Sequence, residues 1–83
     1  MSQMNADRWI GKRIRMAREA FPAMNPELVA SYLQISVQEF AELEAGHVRP
    51  SPDQIMLLAD LMDVSPSWFF AGHSAALKVP AQR

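Results

Sequence analysis

A chain of 83 residues is enough for one small domain and no more. With 49% apolar residues it can form a core, and with no cysteine it has no disulfides or thiolate metal sites. The net charge of −1 is unevenly spread: residues 1–18 carry five bases against one acid, and residues 19–63 carry eight acids against one base, Arg49.

No apolar run approaches the roughly 20 residues of a membrane span. The first seven residues lack the basic start and apolar block of a secretory leader. A cytoplasmic protein with no membrane contact is expected.

The predicted elements are all helical. Residues 1–7 read as a tail, with Asp7 placed to cap a first helix. Ile10, Ile14, Ala17 and Phe21 then recur at spacings of three and four, which gives one apolar stripe among bases. Phe21-Pro22 ends that helix, since the residue before proline avoids the helical region. Asn25-Pro26 starts the second, with asparagine as cap and proline at the first helical position. Its apolar face is assigned to Leu28, Val29, Tyr32 and Leu33, with Ala30 small enough for a close helix contact. Gln34-Ile35 makes a short turn.

Ser36 caps a third helix, and Glu39, three residues on, completes a capping box. Phe40 and Leu43 point inward, and Gly46 ends the helix. After a loop at 47–51, Ser51-Pro52 opens a fourth helix with Ile55, Leu58, Ala59, Leu61 and Met62 on its apolar side. Ser65-Pro66 opens a last short helix that ends at Phe70. Residues 73–83 show little pattern and read as a frayed tail. One domain over 8–72 follows, with five helices and no strand.

Three pieces of this pattern carry a resemblance. Val29-Ala30 is followed by Ile35-Ser36. Phe40, Leu43-Glu44, Gly46 and Pro50 come next. Leu58-Ala59, Met62, Val64-Ser65 and Trp68-Phe69-Phe70 close the set. In this order and spacing they resemble the DNA-binding domain of the lambda-repressor and Cro class, also called the xenobiotic-response-element class. The resemblance implies a five-helix domain with a central helix-turn-helix, acting as a repressor-like regulator of transcription on double-stranded DNA, often as a homodimer. It implies base readout by Val37, Gln38, Ala41 and Glu42, since that class lays the start of its third helix in the major groove. Phosphate contacts fall to Asn25, His47 and Arg49, a structural ion pair to Arg18 and Glu44, and dimer contacts to Trp68 and Phe70.

Four features depart from the class. Gln34 occupies the turn position where glycine is common, and the loop 21–25 is one residue longer than the commonest form. Pro26 stands where a phosphate-contacting glutamine is usual and has no side-chain donor. The third helix is acidic, whereas affinity for DNA comes mainly from Lys and Arg. Glu39 is accounted for by the capping box and Glu42 is not. An alternative is therefore a helix-turn-helix reused as a protein-interaction module whose acidic third helix meets a basic partner. An enzyme is not expected. His47 lies in a loop and His73 in the tail, neither sits at metal-ligand spacing, and no glycine-rich phosphate loop exists. No metal or cofactor is implied.

Overall fold

The computed structural model describes residues 5–72. These form α1 (Ala6–Glu19), α2 (Pro26–Leu33), α3 (Val37–Ala45), α4 (Pro52–Met62) and a closing 3-10 turn, Pro66–Phe69. No strand occurs among the described residues, so the fold is all-α. The expected fifth helix is only this four-residue 3-10 turn, and Ser65 gives it no side-chain cap bond. The expected C-terminal tail, 73–83, lies outside the described residues, as do residues 1–4.

The helix starts follow from local capping. The Asn25 side chain accepts from the Leu28 N–H at 2.8 Å. Ser36 and Glu39 exchange two bonds of 2.9 Å. Ser51 and Gln54 form a second capping box. At α1 the expected cap is corrected. Asn5 caps it by accepting from the Arg8 N–H at 2.8 Å, so the helix begins at Ala6. Asp7 lies inside the first turn, where the positive end of the helix dipole favours an acid.

The two turns around α3 use left-handed residues. Gln34 takes φ 62°, and the Ile35 N–H behind it donates to the Ala30 carbonyl at 3.0 Å. Gly46 takes φ 82°, and the next N–H, of His47, donates to the Glu42 carbonyl at 3.0 Å. The second closure folds residue 47 back over residue 42.

The core comprises Ile10, Ile14 and Ala17 of α1, Val29, Ala30 and Leu33 of α2, Phe40 and Leu43 of α3, and Ile55, Leu58, Ala59 and Met62 of α4, with Phe69 beneath. Three expected core positions are solvent-exposed instead. Phe21 lies beyond the end of α1, in a turn that swings it outward. Leu28 and Tyr32 face solvent because α2 buries the 29, 30, 33 ridge. Tyr32 spends its hydroxyl on Asp60 of α4 at 3.0 Å.

α3 packs mainly against α1 and α2. At the α1 crossing a side chain on Gly11 would put its Cβ 2.5 Å from the carbonyl oxygens of both Leu43 and Glu44, so only glycine fits. Further along α1, Arg18 grips α3. Its Nε donates to Glu44 Oε2 at 2.6 Å and its second nitrogen to Oε1 at 3.1 Å. Both side chains are mostly buried. The bond to Glu44 raises the guanidinium pKa above its ordinary value, against the opposing effect of burial. A two-pronged bond of this kind fixes the roll of α3 about its own axis as well as its distance.

Three outcomes follow for urea or thermal unfolding. Gly11→Ala normally favours a helix by up to about 1 kcal/mol, but here it should destabilise by about 1–3 kcal/mol because α1 must lift off α3. Gln34→Gly should stabilise by about 0.5–1 kcal/mol, since a side chain held left-handed costs roughly 1–2 kcal/mol. Arg18→Ala and Glu44→Ala should be non-additive with the double variant by about 1–3 kcal/mol. A coupling near zero would show that the pair holds nothing.

Candidate nucleic-acid interface

α3 is anchored on one side by Phe40 and Leu43, which are 1% and 3% exposed. The side chains at i, i+1 and i+4 from its first residue therefore point the other way. Val37, Gln38 and Ala41 are exposed, and Glu42 lies half-buried on the same ridge. The structure thus brings the four base-readout candidates onto one outward face. Beside them Ile35, Glu39, Glu42, Leu43, Val48 and Gln54 line a shallow concavity. Val48, half-exposed, and Gln54 were not expected there. The signal for Val48 was an apolar residue in an otherwise polar loop.

The acids of α3 are all engaged. Glu39 accepts the Ser36 N–H. Glu44 is held by Arg18. Glu42, which had no partner in the sequence pattern, has one in space: His47 Nδ1 lies 2.8 Å from its Oε1. The reversal of the chain at Gly46 places the imidazole there.

Each of the three phosphate candidates already holds a partner within the chain. Asn25 gives its side-chain oxygen to the cap of α2. His47 sits on Glu42. Arg49, the single base of the acidic stretch, is ion-paired through its Nε to Asp7 at the start of α1. That pair is exposed, of the kind worth about 0–1 kcal/mol, and water or a phosphate can displace it.

The bases of α1 divide by task. Arg13 stacks its guanidinium 3.8 Å from the Trp68 ring centroid and donates twice to the Trp68 carbonyl, at 3.1 and 3.0 Å. Arg15 bonds Glu19 on the surface, and Arg18 is taken by Glu44. Arg8 and Lys12 are exposed, one turn apart, and among the described residues neither has an ion-pair partner. Arg8 lies where α1 meets Gly46, since a Cβ there would come within 2.5 Å of the Arg8 Cα. Arg8, not singled out in the sequence, stands beside the loop that leaves α3, with Lys12 one turn further along α1.

The two dimer candidates are half-buried in their own chain. Trp68 lies under Arg13 and edge-on to Phe69, with centroids 5.5 Å apart. Phe70 lines a groove with Ile10, Pro50, Pro52, Ile55 and Met56. Met56, 60% exposed, is the most accessible apolar side chain on that side.

Among the described residues no group of three or more His, Asp or Glu is arranged to hold a metal ion, and no helix is long and apolar enough to cross a membrane. No curated protein and no solved structure matches the chain. Residues 14–69 match the helix-turn-helix family, from the middle of α1 through the closing 3-10 turn. With well over half of its length in that match and α2 and α3 arranged as described, the chain belongs to the lambda-repressor and Cro class of helix-turn-helix proteins, a family of DNA-binding regulatory domains and not of enzymes.

Proposed function

We propose that this domain is a sequence-specific transcriptional regulator that reads the DNA major groove with the outer face of α3. The observation that carries this reading is the exposed ridge of Val37, Gln38 and Ala41, set opposite the buried Phe40 and Leu43 and uncovered by any described part of the chain. Gln38 has the donor-acceptor pair that matches adenine N6 and N7. Val37 and Ala41 suit a thymine methyl, and Glu42 can accept from cytosine N4. The acidity of the third helix is less of an obstacle than its composition implies. Glu39 and Glu44 are turned to structural bonds, and Glu42 has a histidine beside it.

Phosphate contact is assigned to Arg8 and Lys12, with Arg49 joining once it leaves Asp7. Such a domain works on a two-fold site as a homodimer, with half-sites about one helical turn apart. Phe70 and the groove it lines are better placed for the dimer contact than Trp68, which Arg13 covers. This role belongs to the compartment that holds the DNA.

A second reading, a protein-interaction module, is favoured by one observation. Leu28, Tyr32 and Val37 are all at least 40% exposed on α2 and α3, and Pro26 offers no donor at the start of α2. Exposed apolar side chains of this kind suit a protein partner better than a phosphate backbone.

Binding to random and to upstream genomic duplexes across a salt series separates the two. The DNA reading expects a preferred site and an affinity that falls steeply between about 50 and 200 mM salt. Gln38→Ala should cost about 1–3 kcal/mol on that site and relax preference at one base position. Lys12→Ala or Arg8→Ala should weaken all sequences alike and reduce the salt slope by about one unit. No binding at about 50 mM salt gives the protein-interaction reading instead.

A further inference from the structure

We infer that His47 is a positioning residue for Glu42, and that DNA binding is coupled to uptake of a proton on its imidazole. The inference rests on the DNA reading above and adds its pH regulation.

The geometry comes first. His47 Nδ1 lies 2.8 Å from Glu42 Oε1 across the end of α3. The pairing is backed by the main chain, since the His47 N–H also donates to the Glu42 carbonyl at 3.0 Å. Two bonds between the same two residues, one on each chain segment, hold the carboxylate to one side of the ridge. One oxygen is engaged and the other is left to accept from a base. Both side chains remain open to solvent, at 68% exposure for the imidazole and 38% for the carboxylate. A duplex lying on α3 can therefore meet them.

The charge argument follows. An ionised carboxylate brought against a groove lined by phosphates is repelled. Imidazole is the side chain whose charge can change near neutral pH. A charged imidazole converts the pair from a single negative charge to none, while keeping the bond that orients Glu42. Nothing else nearby can do this. The ionisable groups on the elements around the loop are Asp7 and the cations Arg8 and Lys12 of α1, Glu39 and Glu44 of α3, Arg49 of the loop and Asp53 of α4. Asp7 and Arg49 are paired with each other, Glu44 with Arg18, and Glu39 with the Ser36 N–H. Arg8 has a fixed charge, and Asp53, an acid on the first turn of α4, can only add to the repulsion. The complex holds more protons than the free protein, so affinity rises as pH falls. For one proton per subunit the rise reaches about tenfold per pH unit on the steepest part of the curve.

The test is the affinity for the preferred duplex between about pH 5.5 and 8 at fixed salt, for the wild type and three single variants. Wild type should bind more tightly as pH falls. His47→Asn keeps a donor beside Glu42 without a titrating charge, and should retain base preference with a flat profile. His47→Arg should bind tightly and also be flat. Glu42→Gln removes the charge that needs cancelling, so its affinity, whatever level the altered reader gives, should not change with pH. A profile that persists in Glu42→Gln but disappears in His47→Asn overturns the inference, because His47 then acts on phosphate directly. A flat wild-type profile with sequence-specific binding also overturns it and leaves the DNA reading intact. Absence of binding at every pH, in every variant, overturns both.

Discussion

The backbone of α1 touches the carbonyls that end α3, and it can do so only because residue 11 has no side chain. Everything on the outer face depends on that approach. The helix that presents Gln38 is short and its own apolar face is narrow, with two fully buried residues. Taken alone it could roll about its axis by a large angle at small cost. The contact at Gly11 fixes its distance from α1, and the forked bond from Arg18 to Glu44 fixes its roll. A mostly buried ion pair is weak evidence for stability, but it specifies orientation well. Orientation matters most here, since a base edge is read only by a side chain presented at the right angle.

The charge distribution has the same logic. The sequence places an acidic body beside a basic first helix, and a simple sum predicts repulsion from DNA. In three dimensions the charges are sorted by use. Arg18 is drawn inward to an acid, Arg13 is spent on a tryptophan ring and its carbonyl, and Arg15 is neutralised within its own helix. Of the acids on α3, one caps, one anchors and one leans on an imidazole. What remains outward around α3 and the start of α1 are Arg8 and Lys12 and the uncharged readers, while the exposed acids Glu27, Asp53 and Asp63 lie on α2 and at the two ends of α4. Net charge therefore describes this surface poorly.

Much of the fold could be read from the chain because its signals are local. Ser36 with Glu39, Asn25 with Pro26, and Ser51 with Pro52 each set a helix start within four residues. Glu44 and Arg18 came from the family pattern, and the geometry supplies the bond. The misses are of two kinds. Phe21, Leu28 and Tyr32 have the right spacing for a core face, but periodicity does not say where a helix stops or which of two neighbouring ridges a two-turn helix buries. Gly11 and the His47–Glu42 pair were missed because they depend on residues brought together by the fold. Both left traces. A glycine between two core isoleucines of a helix is unfavourable unless something passes close by. A glycine that ends a helix turns the following residue back toward the one five before it.

The Trp9 indole N–H donates to the Ala71 carbonyl at 3.0 Å, and Arg13 clasps Trp68 from the same helix. The first helix is thus latched to the last described residues, across 62 positions of sequence. During synthesis this helix emerges from the ribosome well before its latch exists. Until the residues around 71 have emerged, neither the Trp9 bond nor the Arg13 contact can form, and that part of the α1 surface has no cover. The latch also places the two ends of the domain side by side, and any segment joined at either end would start from the same corner of the molecule.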